Sequence, residues 1–219
     1  MAYASPAGPP RALRRRCAPA LIALLLSVPA ARVQPAEQPS EMVLIQEITA
    51  SGSGTVDFTA GITSAFKIYV VEYWGVLPET NATYLTLRFY SGGAWQADAA
   101  DYSFSGEMTY SNGTTNNFMG AGGTGQTGNS TSIPLQYSGA AQGNSANYHA
   151  AGMVKIYDPS NTSIYKRVRY VGAYVNSSGN LTQVDGEGNF YGAAAVTGFR
   201  FLYSSGNISV GTFRLYGLR

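Results

Sequence analysis

The sequence predicts an all-β fold, a single antiparallel β-sandwich of jelly-roll type with long loops rich in glycine, asparagine and serine. One observation is a period of two, because Leu85, Leu87 and Phe89 alternate with more polar residues and form one apolar face. A second is the recurrence of turn-forming groups, such as Ser91-Gly-Gly and Asp158-Pro-Ser-Asn, between the apolar runs. A third is that no stretch has the spacing of an amphipathic helix of three turns.

The composition of the 219-residue chain changes near residue 42. The segment 1–41 contains a basic cluster, Arg11–Arg16, followed by a short apolar run over 18–30, which is the layout of a secretory signal. Because Met42 is followed at once by strand-like sequence, the same segment is also interpreted as an extension that precedes the natural start. On either interpretation the sequence predicts one folded β-sandwich domain over residues 42–219.

The predicted domain is almost neutral and contains no cysteine. Its nine basic and ten acidic residues provide no basic surface, which argues against nucleic acid as a partner. The single cysteine, Cys17, lies in the N-terminal segment, so the domain has no disulfide, no thiol nucleophile and no cysteine-based zinc site. The apolar run at 18–30 is short for a transmembrane helix, and no membrane span is expected in the mature protein.

Short strands are predicted from residue 43 to the end of the chain. Phe66–Trp74 is rich in β-branched and aromatic residues on both faces, which predicts a central strand with Trp74 in the core. The turn that follows the strand at 84–90 places Trp95 at an exposed position. The other predicted strands are 43–49, 101–110, 148–157, 163–174, 196–203 and 211–218.

Residues 111–147 interrupt this series of predicted strands, because they are mostly small and polar. The stretch Asn112-Gly-Thr-Thr-Asn-Asn and the glycine-rich stretch 120–129 carry almost no apolar side chains. Such a segment cannot bury enough apolar surface to offset the entropy lost on ordering. We expect one long exposed loop that contacts neighbouring molecules.

The sequence contains no recognisable set of catalytic residues. Its one histidine is His149, and the nearby stretch 143–147 departs from a nucleophile elbow in its last glycine. The densest acidic group is Asp98, Asp101 and Glu107, the best candidate for the two carboxylates of a glycoside hydrolase. Ten scattered acids make some grouping inevitable, so we predict no catalytic residues and no enzymatic activity.

Motifs for metals and cofactors are incomplete as well. Asp185-Gly-Glu-Gly-Asn189 resembles the opening of a calcium loop, but Phe190 stands where that loop requires glycine, and we predict a solvated turn. The glycines between 120 and 128 suggest a phosphate loop, but no helix and no lysine follow them. The sequence therefore predicts no bound metal and no cofactor.

Charged and aromatic residues are the remaining signals. Alternation places Arg167 and Arg169 on one face of a strand, which predicts salt bridges to a neighbouring strand or subunit. The many tyrosines suit subunit interfaces, sugar stacking and ordinary strand packing alike. If a carbohydrate binds, Trp95, Tyr102 and Tyr110 are the candidate ligand-binding residues.

Several segments carry a resemblance to a known family. They are the opening strand and turn Met42–Phe58, the overlapping segment Asp57–Ile62, the strand 67–73 with the turn 76–82, the turn 157–161 followed by 165–167, and the terminal segment Phe199–Leu218 with its Ser-Ser-Gly-Asn-Ile and Gly-Thr motifs. Across residues 42–219 the chain resembles uncharacterised structural proteins from the virions of tailed bacteriophages and prophages.

The resemblance implies a non-enzymatic virion protein, a decoration or fibre component associated with the tail or capsid. Such a protein acts through contacts with its own copies and with other virion proteins, and a host-surface glycan is a further expected partner. The alternative is a secreted or periplasmic carbohydrate-binding β-sandwich module, exported through the signal-like segment 1–41.

Overall fold

The computed structural model describes residues 41–119 and 130–219, which belong to one compact unit. The signal-like stretch of the N-terminal segment and the glycine-rich stretch 120–129 lie outside the described residues.

The described residues form 13 β-strands and one turn of 3₁₀ helix at Ser138–Ala140. The strands are β1 (Met42–Ser53), β2 (Val56–Phe58), β3 (Ile68–Pro78), β4 (Leu85–Ser91), β5 (Ala94–Trp95), β6 (Tyr102–Tyr110), β7 (Thr115–Met119), β8 (Ile133–Pro134), β9 (Ala150–Tyr157), β10 (Lys166–Val175), β11 (Leu181–Phe190), β12 (Val196–Tyr203) and β13 (Ile208–Leu218).

These strands build two antiparallel sheets that pack face to face. The eight-stranded sheet has the order β1-β13-β3-β9-β10-β11-β6-β7, and the five-stranded sheet has the order β2-β12-β4-β5 with β8 also paired to β4. The predicted all-β antiparallel sandwich is confirmed, although it is larger and less symmetric than a simple jelly roll. Within the described ranges, no helix is long and apolar enough to cross a lipid bilayer.

Aromatic side chains join the inner faces of the two sheets. Phe89 of β4 packs edge-on against Phe190 of β11, with ring centroids 5.5 Å apart. Phe199 of β12 packs in the same way against Tyr69 of β3 at 5.9 Å. Edge-to-face pairs of this kind add stability beyond the area that they bury. The core is therefore continuous between the sheets.

Glycines on the inner face of the eight-stranded sheet make room for tyrosine rings. Tyr73 of β3 lies opposite Gly152 of β9, which lies opposite Gly172 of β10. The Tyr73 hydroxyl covers both glycines, and a Cβ on Gly172 would lie 2.7 Å from it. In the next row, the Tyr170 ring covers Gly186 of β11 in the same way. Six of the tyrosines are buried, so much of the tyrosine content serves core packing.

The prediction of a solvated turn at 185–189 is wrong. These residues lie in the middle of β11, hydrogen-bonded to β10 on one side and to β6 on the other. The acidic residues point outward and pair with Arg169 of β10, whereas the glycines face the core. A Cβ on Gly188 would lie 2.7 Å from Ile133, so crowding explains the glycine at this inward position.

The prediction of one exposed loop over 111–147 is also wrong, because this segment supplies β7, β8 and several buried residues. Gln142 is completely buried, and its amide nitrogen donates hydrogen bonds to the carbonyl oxygens of Val76 (2.9 Å) and Tyr148 (2.7 Å). Its amide oxygen accepts a hydrogen bond of 2.7 Å from Gln136. These side-chain bonds order the segment where apolar burial is scarce.

The strand β3 is central, as predicted, since it lies between β13 and β9. The prediction that Trp74 belongs to the core is wrong, because Tyr73 occupies the inward position and alternation turns Trp74 outward. Trp74 is 38% exposed, and the Arg214 guanidinium lies 4.8 Å from the centre of its ring.

Candidate functional site

The three aromatic residues predicted to bind a ligand do not form one surface. Trp95 is half-buried on the outer side of the five-stranded sheet, where the Arg200 guanidinium lies 4.0 Å from its ring and Tyr90 packs edge-on. Tyr102 is fully buried, and its hydroxyl forms hydrogen bonds with the backbone. Tyr110 is partly buried against the core. A ligand at the surface therefore cannot contact all three rings.

The acidic group and the histidine have local roles. The Asp101 carboxylate accepts a 2.7 Å hydrogen bond from the backbone nitrogen of Asp98 and closes the turn before β6, whereas Glu107 lies further along that strand. His149 Nδ1 lies 2.9 Å from the carbonyl oxygen of Gly75. In the part of the chain that the structure describes, no cluster of three or more His, Cys, Asp or Glu could hold a metal ion.

The basic residues of β10 point to two sides of the sheet. Arg169 forms salt bridges with Asp185 (2.8 Å) and Glu187 (3.2 Å), which confirms the predicted pairing with a neighbouring strand for this residue. Arg167 is exposed and has no carboxylate partner among the described residues. Lys166 faces inward, donates to backbone carbonyls, and has its pKa lowered by burial.

A cleft of about 430 Å³ opens beside the β6–β7 hairpin and the segment that contains β8. We call it the aromatic cleft, because four rings line it: Tyr84, Phe104, Phe118 and Tyr137. Hydroxyl and amide groups surround the rings, and they include Ser130, Thr131, Ser132, Ser138 and Asn117. Its volume is within the range of small-molecule sites, about 300–1,000 Å³.

Three of the rings form a continuous wall. Phe118 lies between Phe104 and Tyr137, with ring centroids 6.2 and 5.5 Å away and interplanar angles of 43° and 32°. Gly106 of β6 lets Phe118 lie close to the sheet, because a Cβ on this glycine would be 2.7 Å from the ring. The backbone nitrogen of Tyr137 donates a 3.2 Å hydrogen bond to the Tyr174 hydroxyl. The wall is thus held in place by the core.

The polar groups of the aromatic cleft are uncharged. No Asp, Glu, Lys, Arg or His is among the described residues that line it. The hydroxyls of Tyr84, Thr131 and Tyr137 take part in no hydrogen bond between described residues. They are available to donate to a bound molecule or to accept from it.

The sequence interpretation missed the aromatic cleft. Phe118 and Tyr137 lie in the segment interpreted as a contact loop, and Tyr84 and Phe104 belong to predicted strands. Two aromatic residues within a segment of small polar residues were a usable signal, because rings are rare in solvated loops.

The outer face of the eight-stranded sheet carries an apolar area, which we call the outer patch. Cross-strand pairs join its residues over four strands, since Met42 pairs with Leu218, Leu218 with Ile68, and Ile68 with Tyr157. Leu44 and Met42 are 52% and 45% exposed. The outer patch consists of Met42, Leu44, Ile68, Tyr157, Tyr216 and Leu218, whereas Val70 on the same face is only 1% exposed.

Charges flank the outer patch unequally. On the side of β9 and β10, Lys155 and Arg167 have no carboxylate partner among the described residues. On the side of β1, β13 and β3, carboxylates outnumber guanidinium groups, and these residues are Glu41, Glu47, Glu72, Arg214 and Arg219. Among the described groups without an ion-pair partner, the first side therefore has two cations and the second has one carboxylate, Glu72.

Comparison of the chain with protein-family models, with curated proteins and with solved structures finds no match. The resemblance to virion proteins stays a prediction, and the functional argument depends on the two surfaces described above.

Proposed function

We propose that the protein is a non-enzymatic structural component of a virion, which acts through contacts between copies of itself and with other virion proteins. The observation that carries the proposal is the outer patch, a contiguous apolar area in which Leu44 and Met42 are 52% and 45% exposed. Contiguous exposed apolar areas on soluble proteins mark interaction surfaces. The resemblance of the segments Met42–Phe58 and Phe199–Leu218 to virion proteins supports the same function.

A second copy of the chain is the occupant that best fits the outer patch. The edge strand β1 is 12 residues long and exposes Met42 and Leu44, although protein edges are normally shortened, charged or covered. A two-fold axis along the strands between β13 and β3 would set β1 of one copy over β9 of the other. The acidic side of the outer patch on each copy would then face the basic side of the outer patch on the other copy, as a self-complementary interface requires.

The self-association is tested by sedimentation velocity of the full chain and two variants. Leu44→Glu places a charge within the outer patch, and we expect it to convert a concentration-dependent dimer into a monomer. Ile164→Glu is the matched control, because Ile164 is equally exposed (51%) but lies outside the patch. A monomeric wild-type chain, or equal dissociation of the two variants, would contradict this part of the proposal.

The virion location is tested by quantitative mass spectrometry of particles produced by a prophage that carries the gene. We expect the protein in density-purified particles, in a fixed ratio to the major capsid protein. We also expect Leu44→Glu particles to contain less of it than Ile164→Glu particles. A protein that stays in the lysate and is missing from the particles would refute the virion function.

A carbohydrate-binding module is the second candidate function. The observation that favours this function is the aromatic cleft. Trp95 is a poor site for stacking a sugar, because Arg200 already covers one face of its ring. The two candidates are compatible, since the aromatic cleft and the outer patch involve different residues.

A further inference from the structure

We infer that the aromatic cleft is a binding site for a neutral saccharide, formed by the rings of Tyr84, Phe104 and Tyr137, by the buried Phe118 that supports them, and by the hydroxyl side chains around them. This inference rests on the second candidate function and specifies its ligand, but it does not depend on the proposed self-association, because no residue of the outer patch lines the cleft.

The absence of charge in the described lining determines the class of ligand. A phosphate, sulfate or carboxylate that leaves water needs a compensating cation or several strong donors. The Arg88 guanidinium contacts the cleft wall from outside, where its Nε donates to the Thr131 carbonyl oxygen at 3.0 Å. Arg88 does not line the cleft, so a neutral ligand fits better than an anion.

The mixture of rings and hydroxyls favours a saccharide over other neutral ligands. A pyranose has an apolar C–H face that can lie on an aromatic ring and a rim of hydroxyls that both donate and accept. The lining matches both parts, with the half-buried rings of Tyr84, Phe104 and Tyr137 for the ring face and side chains such as Thr131 and Ser138 for the rim. Hydroxyl side chains suit this rim because each is a donor and an acceptor. A purely apolar ligand would leave these polar groups without partners.

The site is also preorganised, which reduces the entropy lost on binding. Phe118 is 6% exposed and is held between two other rings. Gln136 forms the floor with its side chain fixed, because its amide oxygen accepts from the Leu85 backbone nitrogen at 2.9 Å and its amide nitrogen donates to Gln142. The rings therefore keep their positions without a ligand.

The test is binding of the full chain to immobilised neutral oligosaccharides of glucose, galactose, mannose and N-acetylglucosamine, beside sialylated and sulfated versions. We expect millimolar or tighter binding to a neutral saccharide. Tyr84→Ala should weaken that binding tenfold or more, and Tyr84→Phe should retain part of it because the ring remains. Trp95→Ala removes an aromatic ring that lies outside the cleft and should leave the affinity unchanged.

A blocking variant separates loss of the site from loss of the fold. Ser138 is exposed at the mouth of the cleft, so Ser138→Trp should abolish binding while the unfolding midpoint stays that of the wild type. The inference is overturned if no neutral saccharide binds at millimolar concentration, if anionic saccharides bind more tightly, or if binding survives Ser138→Trp. Loss of binding in Trp95→Ala with retention in Tyr84→Ala would place the site elsewhere.

Discussion

Replacement of Gln142 by leucine tests whether buried hydrogen bonds hold the segment after β8 in the sandwich. The Gln142 side chain is completely buried and forms four hydrogen bonds. It donates to the carbonyl oxygens of Val76 and Tyr148, and it accepts from Gln136 and from the Tyr203 hydroxyl at 2.8 Å. Leucine has a similar volume but leaves all four partner groups without this contact.

The expected loss follows from these four groups. A buried polar group that loses its partner destabilises the fold by about 1–3 kcal/mol, so four groups at the lower end give about 4 kcal/mol. A domain of this size has a free energy of unfolding of about 5–15 kcal/mol, so the variant would lose a large part of it. Tyr203→Phe removes one donor and leaves the Gln136 bond, and we expect a loss of about 1 kcal/mol.

Urea unfolding followed by circular dichroism measures these differences. Gln183→Leu is the matched control, because Gln183 is exposed on β11 and its replacement should change the free energy of unfolding by about 0.5 kcal/mol or less. The double variant Gln142→Leu/Tyr203→Phe should be more stable than the sum of the single losses predicts, because the two residues share one bond. A Gln142→Leu protein within about 1 kcal/mol of the wild type would refute the reasoning.

Three further predictions concern packing, charge and pH. Gly152→Ala places a Cβ 2.6 Å from the Tyr73 ring, so we expect the free energy of unfolding in urea to fall by about 1–3 kcal/mol. Gly54→Ala is the control and should be nearly neutral, because the nearest atom to its Cβ lies at 3.6 Å. Equal effects of the two substitutions would contradict the packing argument. Asp57→Asn removes the negative charge and one of the two oxygens that accept hydrogen bonds from Arg200 (2.8 and 2.5 Å), and it should cost about 1 kcal/mol at low salt and less at high salt. A salt-independent loss would argue against an ion pair. The free energy of unfolding should fall as pH rises above about 10, because the unfolded chain releases tyrosine protons that the folded chain retains. Tyrosinate absorbance should rise together with unfolding. A urea midpoint that stays constant through this pH range would contradict this prediction. Burial raises the pKa of the tyrosines responsible for this effect, which are Tyr73, Tyr102, Tyr170, Tyr174 and Tyr203.

Strands with clear alternation could be predicted from the sequence, because one face of each is apolar. The predicted strand at 84–90 and the observed β4 (Leu85–Ser91) agree closely for this reason. The strand β11 could not be found in this way, since Gly186 and Gly188 replace its inward apolar residues. In the local sequence a glycine indicates a turn. Inside β11 glycine is needed because the Tyr170 ring lies over Gly186 and Ile133 lies over Gly188, and both neighbours belong to other elements.

The candidate site was less predictable than the fold. The tyrosine and tryptophan content pointed to aromatic recognition, but content does not distinguish a buried ring from an exposed one. Tyr102, a predicted ligand-binding residue, lies in the core, and Trp74, which was predicted for the core, lies at the surface. Tyr84 and Tyr137 line one cleft although they are far apart in the chain, and no local sequence pattern predicts that they lie close together.

By itself, the sequence determined the class of this protein: an all-β domain, near-neutral from Met42 onward, without cysteine and built from short strands. These properties follow from composition and from the period of two, which act within a few residues of the chain. The tertiary structure alone decided which rings are buried, which glycines support them, and which uncharged side chains surround the aromatic cleft. Those outcomes depend on the register between strands distant in sequence, where a shift of one residue exchanges the inner and outer faces.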